Sequence, residues 1–411
     1  MKVWLLTDGE PFFFEEGSSC HRTGSLAKKL TEQGHKVIWW TSRVHHNSKT
    51  YRNNYADRHF TEDGVQVNFL NSSGYTRNMS LARILHARSI AKEFLARGEE
   101  EEKPDIIVAA MPSPEFCHAG SIYATKNHIP FLMDVRDPWP DIFAGYFPPF
   151  LEIFLSPLIY YYRGIIRNIA KSAAGIMAVS QSQLDWGVSY SQRQFDENRD
   201  KLIYIGYENK DELNFDPEVP LFSEANPLRC MYITSWGSSY DSKTLVETAH
   251  ILQEEVGQLV KITATGDGEG RDASIKNAKG LQNINFTGFV SSQEINKAMR
   301  QSHVGLVLMK GGITKYWIGN KIGEYIASSF GIVNNVETEI ADVIRKYDIG
   351  LNVPSENPRA VADAIIQYLK IPSKLSEHKR NSNSLYKQSF DRVENSRIYI
   401  KHLEKIQRQF K

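Results

Sequence analysis

Strand-length apolar runs alternate with helix-length segments along most of this chain, and the alternation breaks off once and then restarts. Such alternation predicts a parallel sheet with helices on both faces, because parallel strands need long crossovers and are buried on both sides. Strands are predicted at residues 1–8, 36–40, 65–70, 106–110, 131–135, 176–179 and 202–205, and the first helix stops at Gln33-Gly34-His35. Residues 207–229 are rich in Asn, Asp, Glu and Pro and lack periodicity, which predicts an interdomain linker. The pattern resumes with strands at 230–234, 260–265, 284–288, 304–309, 331–334 and 350–353, and with helices such as 242–255 and 357–369. The expected plan is α/β throughout: a doubly wound domain over 1–206, the linker 207–229, a second doubly wound domain over 230–385, and a last helix in 386–411 crossing back onto the first. Ligands bind outside the carboxyl ends of parallel strands, so the active site is expected in a cleft between the two domains.

At 411 residues the chain exceeds what one core usually supports. Lys plus Arg number 49 against 48 for Asp plus Glu, so a net charge of +1 offers no overall field to attract nucleic acid. Cys20, Cys117 and Cys230 are odd in number and far apart, which fits neither a disulfide framework nor a zinc site and points to a reducing cytoplasm. The apolar stretch at the N-terminus is too short for a signal peptide.

Three segments carry chemistry. Residues 319–333 read Gly-Asn-Lys-Ile-Gly-Glu-Tyr-Ile-Ala-Ser-Ser-Phe-Gly-Ile-Val, a turn into a short helix and then a strand. The start of a helix gathers free N–H groups and a positive dipole end, to which Lys321 adds a charge, while Glu324 lies one turn on and can accept from sugar hydroxyls. The segment reads equally as an ordinary helix with an exposed Lys and a capping Glu. At 263–271 a strand runs into Gly266-Asp267-Gly268-Glu269-Gly270; its last glycine is misplaced for a dinucleotide fingerprint. At 134–141, Asp-Val-Arg-Asp-Pro-Trp-Pro-Asp follows an apolar strand, so its charges emerge at the strand's carboxyl end; Arg136 and Asp137 read either as functional groups or as a simple ion pair.

Taken in order, these segments resemble GT-B glycosyltransferases along almost the whole chain, with two Rossmann-like domains facing a central cleft. Arg136-Asp137-Pro138-Trp139-Pro140-Asp141 resembles the Arg-Asp-Leu-Trp-Pro-Glu signature of the bacterial branch of glycosyltransferase family 4 that includes fucosaminyltransferases, with Pro138 and Asp141 in place of Leu and Glu. The resemblance implies retaining transfer of a sugar from a nucleoside diphosphate donor, a UDP-linked one, with no cofactor and no metal; there is no Asp-x-Asp triplet to bridge a metal to the diphosphate. It implies that Gly17 and Ser18 approach the donor phosphates and that Gly266 and Gly268 form the turn of the donor domain. Phe289 and Val290 would pack on the base, Asn320 and Lys321 would face the diphosphate, and Glu324 would face the ribose. Tyr316 stands where many relatives carry a second Glu, eight positions before Glu324, and Lys243 is the remaining basic residue after the first strand of the second domain. Asp137 is the candidate to orient or deprotonate the acceptor hydroxyl, with Arg136 to steady it or bind an acceptor phosphate and His118 as a substitute base. A sugar-nucleotide epimerase of the same architecture and a non-catalytic nucleotide-sugar-binding subunit remain alternatives.

Residues 146–162 hold one charge, Glu152, with three prolines in 17 residues, too short and broken for a transmembrane helix of about 20 apolar residues. Leu81, Ile84, Ala87, Ala91 and Phe94 fall on one helical face, with Arg77, Arg83, Arg88, Lys92 and Arg97 mostly outside it or along its edge, a pattern suited to anionic lipid as well as to a core helix. The expectation is a peripheral protein on the cytoplasmic face of the inner membrane, with a glycan or polyprenyl-diphosphate-linked sugar as acceptor.

Overall fold

The computed structural model describes residues 1–15, 20–46, 48–78, 80–143, 149–208, 218–219, 221–311, 316 and 319–410. The chain divides into two compact units, Met1–Ile205 with Arg392–Lys411, and Gly206–Asp391.

The first unit runs β1 (Lys2–Leu6), α1 (Arg22–Glu32), β2 (Lys36–Ser42), β3 (Arg58–Phe60), β4 (Gln66–Leu70), α2 (Leu81–Arg97), β5 (Ile106–Met111), α3 (Pro114–Asn127), β6 (Phe131–Val135), α4 (Pro149–Ser172), β7 (Gly175–Ala178), α5 (Gln181–Ser191) and β8 (Lys201–Leu202). Its sheet has the order β3-β4-β2-β1-β5-β6-β7-β8. Every pair is parallel except β3 with β4. β5 and β6 are buried at every position, as strands covered on both faces must be. β3 was not predicted: three residues that alternate exposed and half-buried carry no periodic signal. The buried face of α2 is His86, Ala87, Ile90, Ala91 and Phe94. Leu81, predicted on that face, is instead 77% exposed, because it opens the helix before the chain reaches the sheet.

The second unit runs β9 (Leu228–Ile233), α6 (Ser242–Val256), β10 (Val260–Thr265), α7 (Arg271–Asn277), β11 (Ile284–Gly288), α8 (Ser292–Arg300), β12 (Val304–Val307), α9 (Asn320–Ala327), β13 (Gly331–Asn334), α10 (Glu339–Tyr347), β14 (Gly350–Asn352), α11 (Pro358–Lys370) and α12 (Pro372–Leu385). Its sheet is parallel throughout in the order β11-β10-β9-β12-β13-β14. β9 begins inside the stretch predicted as linker, because Leu228 and Arg229 already pair with Val260 and Lys261. The last helix, α13 (Arg392–Phe410), belongs to the first unit. It lies on α1, with Ser25 and Ser396 hydroxyls 3.2 Å apart, and the Asn395 amide donates to the Tyr204 carbonyl at 2.9 Å.

Both sheets reverse their strand order once, between β1 and β5 and between β9 and β12. The crevice at such a reversal, outside the carboxyl ends of the strands, is where a doubly wound sheet binds ligands.

Candidate active site

In the first unit the loops after β1 and β6 meet through charge. α1 has no side-chain cap from its N-cap His21; instead Glu10 accepts from the Thr23 N–H at 3.1 Å and from its hydroxyl at 2.9 Å, placing a carboxylate on the positive end of the helix. Arg22 grips Asp134 with two bonds of 3.2 and 3.1 Å and donates to the Ile203 carbonyl at 2.7 Å. Arg136 bonds Asp134 at 2.8 Å, the Thr23 hydroxyl at 3.0 Å, and Glu10. Asp134 is fully buried; burial pushes its carboxyl up, but Arg22 and Arg136 outweigh that and hold it below the ordinary carboxylate range.

Arg136 thus pairs with Asp134 and Glu10 rather than with Asp137. Asp137 is half-buried, and its carboxylate has no hydrogen-bond partner among the described residues. Burial pushes it up to about 6, although Arg83 and Arg136 pull the other way. Such a carboxyl exchanges its proton near neutral pH, which suits a general base. His118 lies on α3, and burial lowers its affinity for a proton. Gly17 and Ser18 lie outside the described residues.

The sequence reading missed a second group at this end of the sheet. His86 on α2 binds the Asp8 carboxylate through Nε2 at 2.9 Å and the Ser72 hydroxyl through Nδ1 at 2.7 Å. Burial works to raise the Asp8 carboxyl, but His86 prevails and keeps it low. These partners come from loops far apart in the chain, and no local pattern announces them.

In the second unit the loops after β9 and β10 are stitched together by Trp236. Its backbone is left-handed (φ +49°), its indole donates to the Gly266 carbonyl at 3.1 Å, and its carbonyl accepts from the Gly270 N–H at 3.0 Å. Gly266 (φ +115°) and Gly268 (φ +153°) sit so close that a Cβ on either would collide with the carbonyl oxygen of Thr234 or Ser235. These glycines are required by the approach of two strand ends, and they leave a side-chain-free floor where the ends of β9 and β10 meet. Across the reversal, Asn335 ties the loop after β12 to that after β9: its amide oxygen accepts from Met309 N–H at 2.8 Å and its amide nitrogen donates to Met309 O at 3.1 Å and Asp241 at 3.4 Å.

α9 follows β12, the strand next to β9. Gly319 is its N-cap and supplies no side-chain bond, and the first turn has no acidic residue, so the positive helix end has no built-in counter-charge. The buried Tyr325 hydroxyl accepts from Ile233 N–H at 2.9 Å, fixing α9 to β9. Lys321 reaches Glu324 at 3.4 Å and keeps 38% of its side chain exposed. Phe289, just past β11, is 85% exposed and Val290 is half-buried. Tyr316 is half-buried; Lys243, on α6, is 81% exposed and 3.8 Å from Glu247. The side chain of Asn320 lies outside the described residues. The structure therefore gathers Gly266, Gly268, Lys321 and Glu324 at one end of the sheet and leaves Lys243 in solvent. Among the described residues no three His, Cys, Asp or Glu side chains converge as metal ligands do.

Two sheets, each with a loop-lined reversal, define a GT-B glycosyltransferase fold. Residues 22–206 match the model of Glycosyltransferase Family 4, and residues 231–370 match that of the Glycosyl transferases group 1. One match falls in each unit, and together they support a group 1 glycosyltransferase. A sequence search of curated proteins finds no match. Among solved structures, HepE of Anabaena in complex with UDP is similar over 98% of this chain and 100% of its own, at 14% identity and a TM-score of 0.65. Sucrose-phosphate synthase of Thermosynechococcus elongatus is similar over 98% of each chain, at 12% identity and a TM-score of 0.72. WaaG, a glycosyltransferase involved in lipopolysaccharide biosynthesis, is similar over 97% of this chain and 98% of its own, at 11% identity and a TM-score of 0.62. At such identities the likeness concerns the fold.

Proposed function

We propose that this chain transfers a sugar from a nucleoside diphosphate sugar, UDP-linked, to a lipid-linked or surface-polysaccharide acceptor, with retention of configuration and without a metal, as in the fucosaminyltransferase-like branch of its family. The carrying observation is the start of α9, whose first turn holds no acidic residue and which carries Lys321 and Glu324 one turn apart; the glycines Gly266 and Gly268 at the end of β10 support it. Backbone N–H groups and Lys321 take the diphosphate, Glu324 accepts from the ribose hydroxyls, and Phe289 and Val290 cover the base. That HepE was solved with UDP supports a uridine donor.

In the first unit Asp137 orients the acceptor hydroxyl or takes its proton as that oxygen bonds to the anomeric carbon on the same face from which the diphosphate oxygen departs, so that the configuration is retained. The charge left on the diphosphate falls to the N–H groups and Lys321 of the second unit. The acceptor domain works on the cytoplasmic face of a membrane.

Isothermal titration of UDP tests the donor half. Lys321→Gln and Glu324→Gln are each expected to weaken UDP binding about tenfold or more, the usual effect of losing one charge-assisted hydrogen bond. Unchanged affinity in both variants would remove the donor assignment. Product analysis with and without acceptor separates transfer from epimerisation.

A further inference from the structure

Two cations in the first unit, Arg83 and Lys49, make no ion pair among the described residues. Arg83, in the first turn of α2, donates to the Asn78 carbonyl at 3.0 Å. Lys49 donates to the His46 carbonyl and to the Asn78 side-chain oxygen. All three acceptors are neutral, and no carboxylate lies within ion-pair distance of either cation among the described residues. Both cations lie against the ring of buried Tyr75, Lys49 Nζ 4.9 Å and Arg83 Cζ 5.7 Å from its centroid, and Arg83 also covers Trp139 at 4.8 Å. The first turn of α2 holds no acidic residue, so the helix end adds to the same field.

The neighbouring acids do not bond to either cation among the described residues. Three carboxylates feel Arg83 from beyond ion-pair distance: Asp8, which is engaged by His86, Glu115, which accepts from the Tyr162 hydroxyl, and Asp137. His46, bonded through Nδ1 to the Tyr75 hydroxyl, is held neutral down to about 4 by burial and by Lys49 and Arg83. Burial and Arg83 likewise lower the Lys49 ammonium. Two cations that repel each other and hydrogen-bond only to neutral acceptors form a site where an anion could take direct N–H donors from both.

We propose that Arg83 and Lys49, stacked on Tyr75 at the start of α2, form a subsite for a phosphate or diphosphate group carried by the acceptor. A compact phosphate can take N–H donors from guanidinium and ammonium at once, which a neutral sugar cannot. The Asp137 loop is beside it, since Trp139 lies under the Arg83 guanidinium. An acceptor anchored there by its anionic group is thus held next to the loop that carries the proposed base. This inference rests on the reading of the first unit as the acceptor half.

The test uses the full chain with UDP saturating, so that the donor site is filled, and titrates inorganic pyrophosphate and, separately, farnesyl diphosphate. Wild type is expected to bind both, and Arg83→Gln and Lys49→Gln each to weaken that binding about tenfold or more while leaving UDP affinity unchanged. Tighter binding of farnesyl diphosphate than of pyrophosphate assigns the group to a lipid-linked acceptor; equal binding assigns it to any phosphorylated one. No pyrophosphate or farnesyl diphosphate binding by wild type, or equal binding by wild type and both variants, overturns the subsite. Loss of UDP binding by wild type would instead sink the donor reading; repeating the pyrophosphate titration without UDP in Lys321→Gln then decides the subsite by itself.

Discussion

Asp134 and Asp137 stand three residues apart and titrate in opposite directions. Asp134, between two guanidinium groups, is held below the ordinary carboxylate range, whereas burial pushes the unpartnered Asp137 up to about 6. Environments that drive two carboxyls apart single out the one left able to exchange its proton near neutral pH, here Asp137. Asp137→Asn is expected to abolish turnover and leave UDP affinity unchanged in titration, and wild-type kcat/KM should fall as pH drops below about 6. The same shift sets the sign for stability. A carboxyl whose folded pKa lies above its unfolded value loses stability as pH rises from about 4 to about 6, at a cost of up to about 3 kcal/mol above that range. Thermal melts should therefore find Asp137→Asn more stable than wild type at pH 7.5 and equal to it near pH 4. The sequence brought Arg136 and Asp137 to notice through their place after a strand. It could not reveal that Arg136 turns to Asp134 and Glu10, because Glu10 lies over a hundred residues away and only the pairing of β1, β5 and β6 brings it near.

At the scale of elements, the wound sheets were legible because buried parallel strands are long apolar runs, and only the short edge strand β3 escaped. The glycine turn after β10 was legible too, but its meaning changed. Gly266 and Gly268 were read through a donor-binding resemblance, and the structure adds a steric reason: the β9 loop passes where their side chains would be. Trp236, which draws that loop in, carries no sequence signal for this role, because its partner Gly266 lies thirty residues on and only the pairing of β9 with β10 brings it near. Gly266→Ala is accordingly expected to destabilise the second unit by roughly 2 kcal/mol or more in denaturant melts and to weaken UDP binding. Gly237→Ala is the control in the same loop. A Cβ there meets nothing nearer than 3.8 Å and no positive φ is involved, so both quantities should stay within error of wild type.

For the molecule as a whole, a net charge of +1 means that any attraction to a membrane must come from one region. Among the described residues no helix is long and apolar enough to cross a bilayer. α2 and α4 both pack on α3, and this helical layer leaves apolar side chains in solvent: Leu81 (77%), Leu85 (59%), Ile153 (72%), Phe154 (78%) and Tyr160 (76%). Arg88 and Lys92 continue the exposed stripe of α2 beyond Leu81 and Leu85, at the spacing of one helix face. Apolar groups flanked by basic ones suit the headgroup region of an anionic bilayer, where burial of the first and attraction of the second add. Flotation with phosphatidylglycerol-containing liposomes should carry wild type upward at low salt and progressively less as salt rises, since screening weakens only the electrostatic part. Phe154→Asp with Leu85→Asp should abolish flotation while leaving UDP titration unchanged, because both side chains are exposed and belong to the other unit. Wild-type chain that stays at the bottom of the gradient at low salt, or a double variant that floats as well as wild type, would leave this face without a membrane role.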